Sequence, residues 1–172
     1  LVIGEGVRQI NSSAFKSCEA LPSVTIPKSV ATIANDAFGS CTSLAEFAVD
    51  AENETYCAID KILYSKDKST LIMCPTALAG SVTVATGATT IGNGAFSGCK
   101  QITSVTVPST VTTIGEDAFD GCEALTTVNL SEGLLSIGEH AFDNAGITAI
   151  TVPNSVTSIG DNAFYYCLSL ET

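Results

Sequence analysis

The segment VTTIGEDAFDGCEALTTV, residues 111–128, is one copy of a phrase that recurs along the chain. The segment ATTIGNGAFSGCKQITSV begins 23 residues before it, and LLSIGEHAFDNAGITAI follows it. Each copy has an anchor isoleucine followed by an Ala-Phe pair, and successive anchors lie 23, 58, 23, 23 and 22 residues apart. The anchors are Ile10, Ile33, Ile91, Ile114, Ile137 and Ile159. A fixed period of about 20–50 residues is typical of repeat architectures.

The apolar columns of each repeat predict a short helical or 3-10 turn followed by a short strand. Counted from the anchor, they fall at +4, +5 and +8, near helical spacing, and then at +14 and +16, which alternate as in a strand. A second short extended stretch is predicted at residues 111–114 and 156–159. One such unit cannot bury its own apolar columns, so stacked units must cover one another and align identical side chains in ladders.

The consensus L-x-x-V-x-I-P-x-S-V-x-x-I-G-x-x-A-F-x-x-C resembles the BspA-type, or Treponema pallidum-type, leucine-rich repeat. The resemblance covers nearly the whole chain and recurs in six Ala-Phe boxes. It implies a right-handed, curved leucine-rich-repeat solenoid, with parallel strands on the concave face and short helical or 3-10 turns on the convex side. It also implies a non-catalytic, adhesin-like protein at the cell surface or secreted, which binds a host, matrix or neighbouring surface protein.

We expect residues 1–172 to form a single leucine-rich-repeat domain that is part of a longer array, because the pattern is cut within a repeat at both ends. No polar capping unit is visible, so end-to-end self-association is a further expectation. Residues 50–81 break the register. Within them, ILYSKDKSTLIM predicts a hairpin that projects from the rod with residues 66–68 at its tip. Such a projection could carry binding specificity or be a tolerated insertion.

Composition and charge exclude several classes of partner. The net charge is −11, and residues 101–172 carry nine Asp or Glu and no Lys or Arg. Nucleic acid and anionic membrane surfaces are disfavoured, because both are bound through Lys and Arg. No run of eighteen apolar residues is present, so direct insertion into a membrane is not expected. A cationic partner or simple solubility fits the acidic balance.

The seven cysteines do not have the spacing of a metal site. Five of them occupy the +8 column, and no two lie two to four residues apart as zinc ligands do. We expect buried, reduced thiols that help to satisfy backbone groups at the turn. Cys57 and Cys74 flank the hairpin and could form a disulfide.

The remaining ionisable groups give little support to chemistry. Glu116, Glu139 and Asp161 share the +2 column, which indicates a solvated turn or, alternatively, a weak Ca²⁺ ladder. His140, the one histidine, occupies the +3 column, where other repeats have various polar residues. A catalytic site would need a nucleophile and an orienting group beside it, and no such motif is present. We therefore expect no enzyme activity and no cofactor.

Two groups of residues are candidates for binding. The first is the column of exposed strand residues on the predicted concave face, namely Thr83, Thr106, Asn129 and Thr151. The second is the hairpin, with Tyr64 as an exposed aromatic anchor beside Lys66 and Lys68. The threonines could instead reflect strand propensity alone. The sequence leaves open a protein-binding surface, a glycan-binding surface and a structural spacer that displays other domains.

Overall fold

The repeated columns align side by side in a β-solenoid of about seven turns, which the computed structural model describes for residues 1–171. Most coils contribute two short strands, one at the +14 to +16 columns and one that ends at the anchor. We number the coils in chain order, so that Ile33 anchors the second, Ile91 the fourth and Ile114 the fifth. The strands are β1 (Gln9–Ile10), β2 (Ser23–Ile26), β3 (Thr32–Ile33), β4 (Glu46–Val49), β5 (Tyr56–Ile59), β6 (Ile62–Ser65), β7 (Thr70–Met73), β8 (Gly80–Thr83), β9 (Thr90–Ile91), β10 (Ile102–Thr106), β11 (Thr113–Ile114), β12 (Thr127–Asn129), β13 (Ser136–Ile137) and β14 (Ser158–Ile159).

The strands of the regular coils pair in parallel and in register, so each residue column lies beside the same column of the next coil. In one sheet β10 lies between β8 and β12, and Val105 is opposite Val82 and Val128. In a second sheet β11 lies between β9 and β13, and Ile114 is opposite Ile91 and Ile137. The two strands of the first coils, β1 with β3 and β2 with β4, pair in the same parallel manner.

The phenylalanines of the Ala-Phe boxes form two stacked groups, Phe15 with Phe38 and Phe96 with Phe119, Phe142 and Phe164, because the coil between Phe38 and Phe96 has no such box. The ring centroids of Phe96 and Phe119 are 4.8 Å apart, and those of Phe119 and Phe142 are 4.9 Å apart. The planes of neighbouring rings are nearly parallel. All three side chains are fully buried. Centroid distances of about 4.5–7 Å are those at which aromatic pairs attract. The prediction that identical side chains align from coil to coil is confirmed.

The predicted helical or 3-10 turns are not supported, because no helix occurs in residues 1–171. The Ala-Phe boxes are hydrogen-bonded turns instead. Asp117, at the +3 column, has a φ of 53°, which interrupts any right-handed helix. The N–H groups of Asp117 and Phe119 donate to Glu139 O and Ala141 O of the next coil, so they are not available for intrahelical bonds.

The insertion does not project from the rod; it continues the sheet as an antiparallel meander. β5 pairs with β6 and β6 with β7, and β7 joins the parallel ladder because Leu71 lies opposite Ile91. Leu71 therefore anchors the third coil. Asp60 and Lys61, with φ values of 49° and 74°, form the tight β5–β6 turn. The apolar residues of β6 and β7 enter the core: Ile62, Leu63, Tyr64, Leu71 and Met73 are buried.

The β5–β6 turn also interrupts the first sheet. The carbonyl of Lys61 accepts from Phe47 N of β4 at 2.9 Å. β4 therefore contacts the turn and is not paired with β8. The ladder that the sequence predicts as continuous is divided into β2–β4 and β8–β10–β12.

A buried asparagine fixes the start of the insertion. Asn53 is 0% exposed, and its Nδ2 donates to Pro27 O at 2.8 Å and to Val30 O at 3.0 Å. Its Oδ1 accepts from Thr55 N at 2.8 Å and from Tyr56 N at 2.7 Å. The side chain thus links the insertion to the neighbouring coil through two bonds and orders the start of β5 through two more.

Candidate functional site

The first candidate surface is an exposed row of residues that we name the hydroxyl face. It consists of Thr83, Thr106 and Asn129, on β8, β10 and β12, and of Thr151, which lies outside the strands although the sequence predicts a strand residue there. Thr106 on β10 lies directly opposite Thr83 on β8 and Asn129 on β12. All four side chains are exposed, whereas the residues that alternate with them along the strands point into the core. The face is therefore small, polar and uncharged.

The structure does not make Tyr64 available as the exposed anchor that the sequence predicts. Tyr64 is 1% exposed, because β6 is the middle strand of the meander, and its hydroxyl oxygen accepts from Ala85 N at 3.2 Å. Burial raises the pKa of this phenol. Tyr56 is buried in the same way, with its hydroxyl accepting from Ile33 N. The exposed tyrosines are Tyr165 and Tyr166, in edge-to-face contact near the C-terminal end.

Lys66 and Lys68 are exposed at the β6–β7 turn, but they lie apart from the hydroxyl face. The Lys66 ammonium donates to Ala51 O at 3.0 Å. The β5–β6 turn, which borders Thr83, is at the opposite end of the four-residue strand β6. Four residues of strand span about 13 Å. The two predicted groups of binding residues therefore belong to different surfaces.

Three thiols of the +8 column have the structural role that the sequence predicts, whereas Cys18 of the same column is exposed, contrary to that prediction. Cys41, Cys122 and Cys167 each donate to the carbonyl of the phenylalanine one coil earlier, at 3.1, 3.1 and 3.0 Å. Burial raises the pKa of each of these thiols. Cys57 and Cys74 are both free thiols and donate to different carbonyls, those of Ser65 and Pro75.

A third surface, which sequence reasoning missed, is a groove on the turn side. The third coil has no Ala-Phe box, and after β7 its chain continues through Cys74, Pro75 and Thr76. Cys74 and Thr76 line a groove together with the turns of the second and fourth coils. The resulting turn-side groove has a volume of about 1150 Å³. Its inner lining includes Asp36, Phe38, Ser40, Met73, Asn93 and Ser97. The signal in the sequence was the step of 58 residues between Ile33 and Ile91, which hides a coil without the box.

The groove is acidic. Its lining contains six carboxylates, Asp36, Glu116, Asp117, Asp120, Glu123 and Asp143, against the two lysines Lys16 and Lys100. The Lys100 ammonium is already paired with the Glu123 carboxylate at 2.7 Å. Partial burial, followed by repulsion from neighbouring carboxylates, raises the pKa of both Asp117 and Asp120.

His140 lies at the edge of the groove among carboxylates. Its Nδ1 is 2.9 Å from Asp143 Oδ2, and its Nε2 is 3.8 Å from Glu139 Oε1. The hydrogen bond to Asp143 raises the pKa of the imidazole, with smaller contributions from the charges of Asp143, Glu139 and Asp117. The imidazole therefore takes part in an ion pair with Asp143, and no hydroxyl or thiol is among its hydrogen-bond partners in residues 1–171.

Metal and membrane sites are not indicated by the part of the chain that is described. Among residues 1–171, no three His, Cys, Asp or Glu side chains converge as a metal-binding set, and this holds for Glu116, Glu139 and Asp161 of the proposed Ca²⁺ ladder. No helix within the same range has the length and apolarity to cross a bilayer.

Comparison with known proteins identifies the repeat. The family described as "BspA type Leucine rich repeat region" matches this chain over residues 1–79 and 68–171, with six copies of the repeat. No curated protein sequence matches the chain significantly.

Solved structures share the fold. A leucine-rich cell surface protein from Faecalibacterium prausnitzii is 27% identical, with a TM-score of 0.82 over 99% of this chain and 52% of its own. The pneumococcal vaccine antigen PcpA is 23% identical, with a TM-score of 0.86 over 99% of this chain and 49% of its own. A leucine-rich repeat protein from Bacteroides capillosus is 33% identical, with a TM-score of 0.59 over 69% of this chain and 96% of its own. The chain thus spans about half the length of the first two proteins, and by its repeats it belongs to the BspA-type leucine-rich repeat family.

Proposed function

We propose that this chain is a non-catalytic, adhesion-type binding module, whose hydroxyl face contacts a host, matrix or neighbouring surface protein. The observation that carries the proposal is the exposed, in-register alignment of Thr83, Thr106 and Asn129 across three paired strands. A rigid sheet holds these side chains about 4.8 Å apart, so little side-chain entropy is lost when a flat partner contacts them.

The chemistry of the face favours a neutral, polar partner. Hydroxyl and amide groups both donate and accept hydrogen bonds, and no charged side chain stands in this row. The right-handed, curved path implied by the family would place the face on the concave side, where an extended partner contacts several coils at once. Glycans offer similar hydroxyl chemistry, so a glycan-binding surface is the second candidate, and a structural spacer is the third.

We further propose that the module works at the cell surface or after secretion. The relative from Faecalibacterium prausnitzii is described as a cell surface protein, and PcpA is described as a vaccine antigen. The chains of those two proteins are about twice as long as this one, so a larger parent protein would supply any further binding surface.

The test is binding of the purified chain to an array of purified extracellular-matrix proteins and to a glycan array. The variant Thr106→Arg places a long charged side chain in the centre of the hydroxyl face. Thr86→Arg is the matched control, because Thr86 is an exposed threonine outside the face with no side-chain bond. We expect Thr106→Arg to weaken binding to the captured protein at least about tenfold, and Thr86→Arg to leave it unchanged.

The other outcomes separate the alternatives. Capture that is confined to glycans would support the glycan-binding surface. Failure to bind any member of either array, with an unchanged thermal melt for all variants, would support the spacer.

A further inference from the structure

The turns of regular coils are joined by a fixed set of backbone hydrogen bonds. In the fourth, fifth and sixth coils, the N–H groups at +3, +5 and +7 donate to carbonyls of the next coil, and in the first coil those at +5 and +7 do so. In the fourth coil these bonds join Gly94 N to Glu116 O at 2.8 Å, Phe96 N to Ala118 O at 2.7 Å and Gly98 N to Asp120 O at 2.8 Å. The same three bonds connect the fifth coil to the sixth.

This set of bonds is broken at the turn-side groove. The second-coil residues at +3, +5 and +7 are Asp36, Phe38 and Ser40, and all three line the groove. Within residues 1–171, none of their N–H groups has a backbone acceptor. Phe38 is 1% exposed, so its amide is a poorly hydrated donor. An unpaired buried N–H is unfavourable, because its lost hydration is not compensated by another acceptor.

The opposite wall carries the matching acceptors. In the fourth coil, the carbonyls of Asn93 and Ser97 accept no backbone hydrogen bond from residues 1–171, and both residues line the groove. The carbonyl between them, Ala95 O, accepts from Cys74 N at 2.7 Å, which is the single bond that the third coil supplies here. The gap thus has donors on one wall and acceptors on the other.

The groove has a closed end and an apolar floor. At the closed end, the Cβ of Asn35 lies 4.0 Å from the position that a Cβ would take on Gly94, so the second and fourth coils meet there. Buried Phe38 and Met73 form part of the floor. The volume of about 1150 Å³ slightly exceeds the usual range for ligand pockets, about 300–1000 Å³. A short segment of chain therefore has room to enter beyond Asn35.

We propose that the turn-side groove binds an extended, basic peptide segment. Its carbonyls accept from Phe38 N and Ser40 N, its amide donates to Ser97 O, and its Lys or Arg side chains pair with Asp117 and Asp120. This is the mode in which a peptide adds to an exposed backbone edge, with the backbone giving affinity and the side chains specificity.

Charge and backbone together select this class of ligand. The groove carries six carboxylates against two lysines, so an acidic or neutral segment gains little from it. A metal ion provides no acceptor for the unpaired N–H groups, and a glycan provides no cation for the carboxylates. A peptide with Lys or Arg provides both. A second copy of the chain is disfavoured, because its net charge of −11 is of the same sign as the charge of the groove.

The experiment is fluorescence anisotropy with a labelled, end-blocked octapeptide of alternating Val and Lys, titrated with the whole chain. We expect saturable binding that weakens as salt is added, because the pairing charges are partly exposed. The same peptide with Glu in place of Lys should not bind. The all-D version keeps the charge but not the backbone register, and it should bind at least about tenfold more weakly.

Matched variants locate the site. Asp117→Asn with Asp120→Asn removes two carboxylates from the groove and keeps their shape, whereas Glu46→Gln with Glu54→Gln removes two exposed carboxylates outside it. We expect the first pair to weaken binding about tenfold and the second pair to leave it unchanged. Thermal melts of both variants check that the fold is intact.

Three results would overturn the proposal: no saturable binding of the Lys peptide, equal binding of its all-D form, or equal losses in the two variant pairs. Self-association of the chain that disappears in the groove variant would also overturn it, because the occupant would then be a second copy. Thr106→Arg does not touch the groove, so failure of this proposal and failure of the hydroxyl-face proposal are distinguishable.

Discussion

Replacing Asn53 with alanine should destabilise the protein strongly, because this side chain holds the insertion against the second coil. The substitution leaves Pro27 O, Val30 O, Thr55 N and Tyr56 N without their partner. Three of these bonds are buried and the bond to Thr55 N is partly buried. A hydrogen bond contributes about 0.5–1.5 kcal/mol net, so we expect a loss of about 3–5 kcal/mol in the free energy of unfolding.

Urea denaturation followed by circular dichroism measures this loss, with Asn129→Ala as the control. Asn129 is exposed on the hydroxyl face, and its substitution should change the free energy of unfolding by less than about 0.5 kcal/mol. Because repeat arrays can unfold in parts, hydrogen exchange of the Thr55 and Tyr56 amides gives a local measurement, and both should exchange faster in Asn53→Ala. A loss below about 1 kcal/mol, with unchanged exchange, would refute the reasoning.

Three further predictions concern the stacked ladder, the meander and the acidic turns. Phe119→Ala should lower the free energy of unfolding by about 3–5 kcal/mol in urea denaturation, because Phe119 stacks on a ring on each side. Phe15→Ala should lower it clearly less, because the Phe15 side chain is only partly buried. Equal losses would contradict the importance of stacking from both sides. Tyr64→Phe should cost about 1 kcal/mol, because Ala85 N loses its acceptor, and should leave capture of any partner unchanged; weaker capture would return Tyr64 to the binding surface. The pKa of His140, measured by NMR titration, should lie above the ordinary 6.5, because the imidazole is hydrogen-bonded to Asp143. The contribution of this ion pair to stability is therefore complete below about pH 6.5 and is lost as the pH rises through the raised folded-state pKa. A measured pKa at or below 6.5 would contradict the ion pair.

The turns show how a correct spacing can predict the wrong local structure. The columns at +4, +5 and +8 have the spacing of a helix face, and in the second, fourth, fifth and sixth coils the residues at these columns are buried together. The backbone nevertheless forms turns, because the N–H groups of residues such as Phe119 donate to the next coil. Side-chain spacing reports which face is buried, but it does not report where the backbone hydrogen bonds go.

The insertion shows the same limit for function. The segment ILYSKDKSTLIM predicts a hairpin, but not that β6 becomes a central strand that buries Tyr64 or that the turn at Asp60 and Lys61 divides the neighbouring sheet. Its missing Ala-Phe box was visible only as a long step between anchors. The groove depends on how the second and fourth coils approach each other across that gap.

The sequence by itself determined the period, the columns and the stacking of Phe96, Phe119 and Phe142, and with them the family. It could do so because in a repeat protein each residue packs against its counterpart in the next coil, so the spacing along the sequence predicts which residues are in contact. Only the tertiary structure decided the course of the insertion, the burial of Asn53 and Tyr64 and the existence of the turn-side groove. These features have no counterpart in the neighbouring coils, so their contacts depend on packing in three dimensions and produce no periodic pattern in the sequence.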